Sequence, residues 1–177
     1  MLTGPWRVQF DPAMGGPARP VRFRALSDWT EQADLRIRYF SGTAVYTKVF
    51  RWRPEERDAR SQPGMTTGSR PGMTTGSAER RYLQLDASGW MARVSVNGRE
   101  AGTVWCAPWQ MDITDYLRPG RNELRIEVVN SLYNRMIGDA VEHPDGVGAW
   151  TRSSYPLVDA DTPLVPSGLL DARIISR

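Results

Sequence analysis

An all-β sandwich or barrel is the architecture that this 177-residue sequence predicts, on three observations. Short runs of alternating or β-branched residues recur along the chain. Turn signals separate them. No long stretch repeats its apolar residues at the 3.6-residue period of a helix.

The elements follow in order. Leu35-Arg36-Ile37-Arg38-Tyr39 alternates apolar and basic residues and is expected to be a strand. Thr43 to Trp52, TAVYTKVFRW, is rich in β-branched and aromatic residues and suits a pleated, half-buried surface. Arg81 to Asp86, Ala92 to Val96 and Gly102 to Trp105 are further short runs. Between the last two stands Asn97-Gly98, a strong hairpin signal because both residues tolerate positive φ. Asp112 to Leu117, DITDYL, is too short for a stable helix and is expected to form one helical turn, closed by Arg118-Pro119-Gly120. Glu123 to Val129 places Leu124, Ile126 and Val128 on one face, and ARIIS (172–176) supplies a last strand.

One segment breaks the pattern. Residues 61–68, SQPGMTTG, and 69–76, SRPGMTTG, form a tandem repeat that differs only at its second position. Pro, Gly, Ser and Thr dominate it, so it cannot build a core of its own. Two copies of eight residues are far below the repeat length of about 20 or more that stacks into a solenoid. The expected organisation is one sandwich domain over residues 1–177, interrupted at about 54–80 by a disordered low-complexity loop.

Composition narrows the class. The hydrophobic share is 40% and the charged share 24%, as in an ordinary globular domain. No apolar run approaches the about 20 residues that span a bilayer, so no membrane partner is expected. The start MLTGPWRVQF shows no cationic segment followed by an apolar one. A chain of this kind is expected to stay in the cytoplasm. The net charge is +3, and the positive charge is nearly all arginine, scattered except for a loose group around the repeat. That distribution lacks the basic stripe of a nucleic-acid reader, so no nucleic-acid partner is expected. Seven tryptophans stand out. Most are expected to pack, with one or two left for a ligand or partner surface.

Catalytic signals are mostly missing. With one histidine, His143, no multi-histidine metal site exists; with one cysteine, Cys106, no intrachain disulfide does. Cys106 is expected to be a small buried hydrophobe. No phosphate-binding loop, nucleophile elbow or zinc motif occurs. Asp112, Asp115, Asp139, Glu142 and Asp145 are the available carboxylates for glycosidic chemistry, which needs a pair at a set separation, and no two are marked as one. Asp112 and Asp115 read as caps of the helical turn, while Glu142 and Asp145 read as solvated. No catalytic residue and no metal ligand is assigned. No cofactor is expected; a structural calcium would need six to eight oxygen ligands, a set that cannot be named here.

Residues 94–130, VSVNGREAGTVWCAPWQMDITDYLRPGRNELRIEVVN, resemble the sugar-binding, galactose-binding-like jelly-roll domain of family 2 glycoside hydrolases. There a strand ends in V-N-G, a hairpin returns through a tryptophan, and a D-I-T-x-x-L-x-P-G-x-N-x-L run follows. YFSGTAVYTKVF (39–50), NRMIGD (134–139), PSGLLDARI (166–174), the opening GPWRVQFDP and Leu26 to Thr30 are similar to the C-terminal region of family 106 α-L-rhamnosidase-like enzymes. Leu170-Asp171-Ala172 departs from the Gly-Pro-Val-like sequence more usual there, and Cys106 replaces a larger or basic residue.

The resemblance implies a non-catalytic accessory β-sandwich, because the catalytic carboxylates of such enzymes sit in a separate barrel. It implies a truncated or split-gene fragment, an exported parent enzyme, and carbohydrate or a glycosidase catalytic domain as partner. A free-standing carbohydrate-binding module and a hydrolase in its own right are the alternatives. Trp105 and Trp109, beside Pro108, are candidates for stacking on sugar or facing the barrel; hairpin packing is the competing reading. Asn134, Arg135 and Asp139 are candidates for a polar cluster shown to a ligand or to the missing domain. Their competing role is a loop in which the arginine pairs with the aspartate.

Overall fold

The computed structural model describes residues 2–54, 79–87, 91–151 and 158–177. The tandem repeat therefore lies outside the described residues. Among the described residues nine strands form two antiparallel sheets. They are β1 (Trp6–Phe10), β2 (Val21–Phe23), β3 (Thr43–Trp52), β4 (Arg81–Ala87), β5 (Met91–Val96), β6 (Arg99–Val104), β7 (Gln110–Asp112), β8 (Gly120–Val129) and β9 (Leu169–Ser176). One sheet has the order β2-β1-β3-β8-β5-β6 and the other the order β7-β4-β9. The all-β sandwich is thus what the chain forms.

Alternation along the strands builds the core. On β8, Asn122, Leu124, Ile126 and Val128 are buried while the residues between them face outward. Its partner β3 contributes Ala44 and Tyr46 in register with Val128 and Ile126. β1 adds Trp6, Val8 and Phe10, and β4 covers them from the second sheet with Leu83 and Leu85. At one end the filling is aromatic. Phe10 sits edge-on to Trp29 and to Phe40, with ring centroids 5.2 and 5.0 Å apart. Trp29 stacks on Tyr46 at 6.5 Å, within the range in which ring pairs add to plain burial.

Two expectations need correction. Leu35–Arg38 is a helical turn, α1, and not a strand. Asp34 caps it by accepting from the Arg36 N–H at 3.0 Å, which ends any extended pairing before it begins. Alternation misled because Ile37 and Tyr39 are buried whereas Leu35 is exposed. The second correction is α2, a ten-residue helix over Tyr133–Glu142. Its inward face carries Asn134, Arg135, Gly138 and Asp139 beside a single Ile137. A polar buried face leaves no apolar period to read.

α2 lies against Tyr39 so closely that a Cβ on Gly138 would meet that ring at 2.5 Å. Glycine is needed there for the approach of helix to ring. Among the described residues no helix is long and apolar enough to cross a membrane.

Candidate functional site

The V-N-G and P-G-x-N segments meet at one corner. Asn97 has φ 54° and Gly98 φ 77°, the left-handed pair that a tight hairpin requires. The Asn97 side chain donates to Tyr116 O and Asn122 Oδ1, both at 2.8 Å, and accepts from the Glu123 N–H at 3.0 Å. Asn122 is fully buried. Its amide donates to Arg118 O and Gly120 O and its oxygen accepts from the Arg118 N–H. Two asparagines thus tie the β5–β6 hairpin to the turn that opens β8. The expected one-turn helix is there as a 3₁₀ turn over Thr114–Tyr116.

The hairpin leads into the loop joining β6 to β7, where the Ala107–Pro108 peptide is cis. Trp105 projects from this loop with 70% of its surface exposed. Trp109 instead packs against the core, and its carbonyl accepts from the Leu85 N–H at 2.9 Å. The two candidates thus have different surroundings. Cys106 is exposed, which corrects the expectation of a buried thiol; the residue rides on the same projecting loop as Trp105 and has no core to enter.

The other three candidates, Asn134, Arg135 and Asp139, are brought together on α2 and are buried. Asn134 grips the chain before β9 at two points, donating to Val165 O at 2.7 Å and accepting from the Val165 N–H at 2.9 Å. Asp139 Oδ2 accepts from the Thr151 N–H at 2.7 Å and its hydroxyl at 2.6 Å, while buried Oδ1 has no partner among the described residues. Arg135 lies 5.8 Å from the centroid of Trp150. No ion pair joins Arg135 to Asp139 among the described residues. What Asn134 and Asp139 hold is the chain at Val165 and at Thr151. Val141, Val147 and Trp150 stay exposed, with the Trp150 ring over Gly15 and exposed Met14 beside that glycine.

Of the tryptophans, Trp6 and Trp29 are core and Trp105 and Trp150 are exposed; Trp90 lies outside the described residues. Catalytic geometry is not evident. Asp112 is taken up by Arg80 and by Thr114. The Thr114 hydroxyl and amide hold its carboxyl below the usual range, and Arg36 does the same for Asp34. A general acid needs the opposite displacement. Among the described residues no cluster of three His, Cys, Asp or Glu side chains suits a metal ion.

Sequence reasoning missed the aromatic end and its lock. The Tyr46 hydroxyl accepts from Trp29 Nε1 at 2.6 Å and from the Leu169 N–H at 3.2 Å, joining the two sheets. Gly168, at φ 88°, lies where a Cβ would meet Trp29 Nε1 at 2.4 Å. The signal was present in PSGLLDARI, where a glycine opens the last strand.

No protein-family model matches the chain. The solved rhamnosidase of Novosphingobium sp. PP1Y matches over 99% of this chain at 36% identity and TM-score 0.78. The chain is a glycoside hydrolase-associated β-sandwich. A curated relative, the "Putative beta-glucuronidase" of Formosa agariphila, is 33% identical over 139 residues, 78% of this chain. The glycosidase-associated sandwich spans only 15% of the rhamnosidase and 10% of that relative. Apo β-glucuronidase of Ruminococcus gnavus shares the fold at TM-score 0.51 and 20% identity, over 73% of this chain and 21% of its own.

Proposed function

We propose that the chain is the non-catalytic accessory domain of an α-L-rhamnosidase-like glycoside hydrolase. It packs on a catalytic domain that is not among these 177 residues, whether in a longer chain or a separate one. The observation that carries this reading is the pairing of near-complete coverage of this chain with a small share of the rhamnosidase. Val141 on α2 and Val147 and Trp150 beyond it are exposed apolar side chains of the kind that a docking face would use.

The test is turnover. The purified chain is expected to release no product from aryl α-L-rhamnosides, and measurable hydrolysis abolished by Asp139→Asn would overturn the accessory reading. A second reading, a free-standing carbohydrate-binding module, is favoured by Trp105, whose exposed indole on a projecting loop offers a face to a sugar ring. Retardation of the isolated chain on a neutral glycan, lost in Trp105→Ala, would select it.

A further inference from the structure

We infer that the outer face of β2, β1 and β3 carries an anion subsite for a carboxylate-bearing sugar, a uronate residue of an acidic polysaccharide. In register across these strands, Arg7 stands opposite both Arg22 and Thr47. The two arginines are exposed; Arg7 lies between buried Trp6 and Val8, so it points away from the core. Like charges directly opposite on one sheet face repel, yet among the described residues no carboxylate pairs with either. An anion between them would remove that repulsion.

The place is concave. A hollow of about 460 Å³ is lined by Arg7, Arg22 and Thr47, with Pro5, Pro20 and Val49 as apolar walls. That volume lies within the range of small-ligand sites. A second hollow adjoins across Pro20 to Arg22 and adds Arg19, Arg36 and Asp34. Asp34 is already bound by Arg36 at two points, 3.0 and 2.7 Å. Among the described residues Arg7, Arg19 and Arg22 have no carboxylate partner, and guanidinium groups meet a carboxylate with two parallel hydrogen bonds. The apolar walls suit the C–H faces of a sugar ring better than an extended acidic peptide.

The choice of a saccharide rests on the glycosidase-associated reading. The test is affinity electrophoresis of the 177-residue chain in gels holding polygalacturonate or polyglucuronate, against the same polymers with their carboxyl groups reduced. Retardation is expected on a uronate polymer only, weakened at least ten-fold in Arg7→Ala and in Arg22→Ala. Arg121→Ala, which removes the same charge from β8, is expected to leave it unchanged. Near-UV circular dichroism checks that each variant keeps its packing. No retardation, equal retardation on the reduced polymers, an equal loss in Arg121→Ala, or competition by poly-L-glutamate or a DNA oligonucleotide at matched charge would each overturn the subsite. None of these outcomes bears on rhamnoside turnover, so failure here and failure of the accessory reading are distinguishable.

Discussion

The Tyr46 hydroxyl shows how much one oxygen holds. It accepts from the Trp29 indole and from the Leu169 amide, both buried. Burial raises its pKa, so it stays protonated at any ordinary pH. Tyr46→Phe keeps the ring and strands two donors away from water. Each unsatisfied donor costs about 1–3 kcal/mol, so a loss of about 3 kcal/mol is expected. Calorimetry should show Tm falling by roughly 6–12 °C for a chain of this size; a fall under about 2 °C would refute the lock.

Asp112 makes a pH prediction at the same scale. Its folded-state pKa lies below the ordinary 3.8 because of Thr114 first and Arg80 after it. A lowered pKa contributes stability that is fully present above pH 3.8 and is lost as pH falls through the folded value. Asp112→Ala is expected to cost about 1 kcal/mol at pH 7, discounted for partial exposure. The gap from wild type should narrow in chemical denaturation as pH falls below 3.8; a gap independent of pH would assign the cost to packing instead.

At the scale of elements, the β5–β6 hairpin and the turn before β8 are one unit, because Asn97 and Asn122 bond to each other and to both backbones. Asn97→Gly keeps the left-handed backbone and removes three side-chain hydrogen bonds. At about 1 kcal/mol net apiece, a loss of roughly 2–3 kcal/mol is expected. Asn97→Ala loses the same bonds and adds the left-handed penalty of about 1 kcal/mol. Urea denaturation of both variants separates the two contributions, and equal stabilities would mean that the turn is not strained by a side chain. The same unit explains why this stretch carried the family resemblance: its asparagines and glycine have geometric duties that few residues meet. α2 is the counterexample. Its buried Asn134 and Asp139 bond to Val165 and Thr151, and nothing in the order of its polar residues announces a helix.

For the whole molecule, the exposed apolar group at Trp150 and Val147 is what association would cover. Val147→Asp with Trp150→Ser is expected to leave the thermal midpoint within about 2 °C, since exposed positions away from the core contribute little to folding. The same pair should weaken co-purification with a cognate catalytic domain at least ten-fold. Unchanged co-purification would remove this surface from the docking proposal. The arginine-rich hollow belongs to this scale too, because β1, β2 and β3 each contribute to it.

The sequence by itself determined the all-β class, β3 at both its ends, the Asn97-Gly98 hairpin and the 3₁₀ turn near Thr114. Each depends on residues within a few positions of one another, so period and turn chemistry report them directly. Among the described tryptophans, Trp105 and Trp150 are exposed while Trp109, the neighbour of Trp105 on the loop, packs against the core. Only the tertiary structure decided that Leu35–Arg38 coils, that α2 exists, that Cys106 is exposed, and that Arg7 faces Arg22. Those outcomes depend on partners far along the chain: Gly138 fits against Tyr39, and the Arg7–Arg22 register requires a β1–β2 pairing that no local pattern states. Local chemistry writes the strands; which strands become neighbours is settled by burial of the whole core at once.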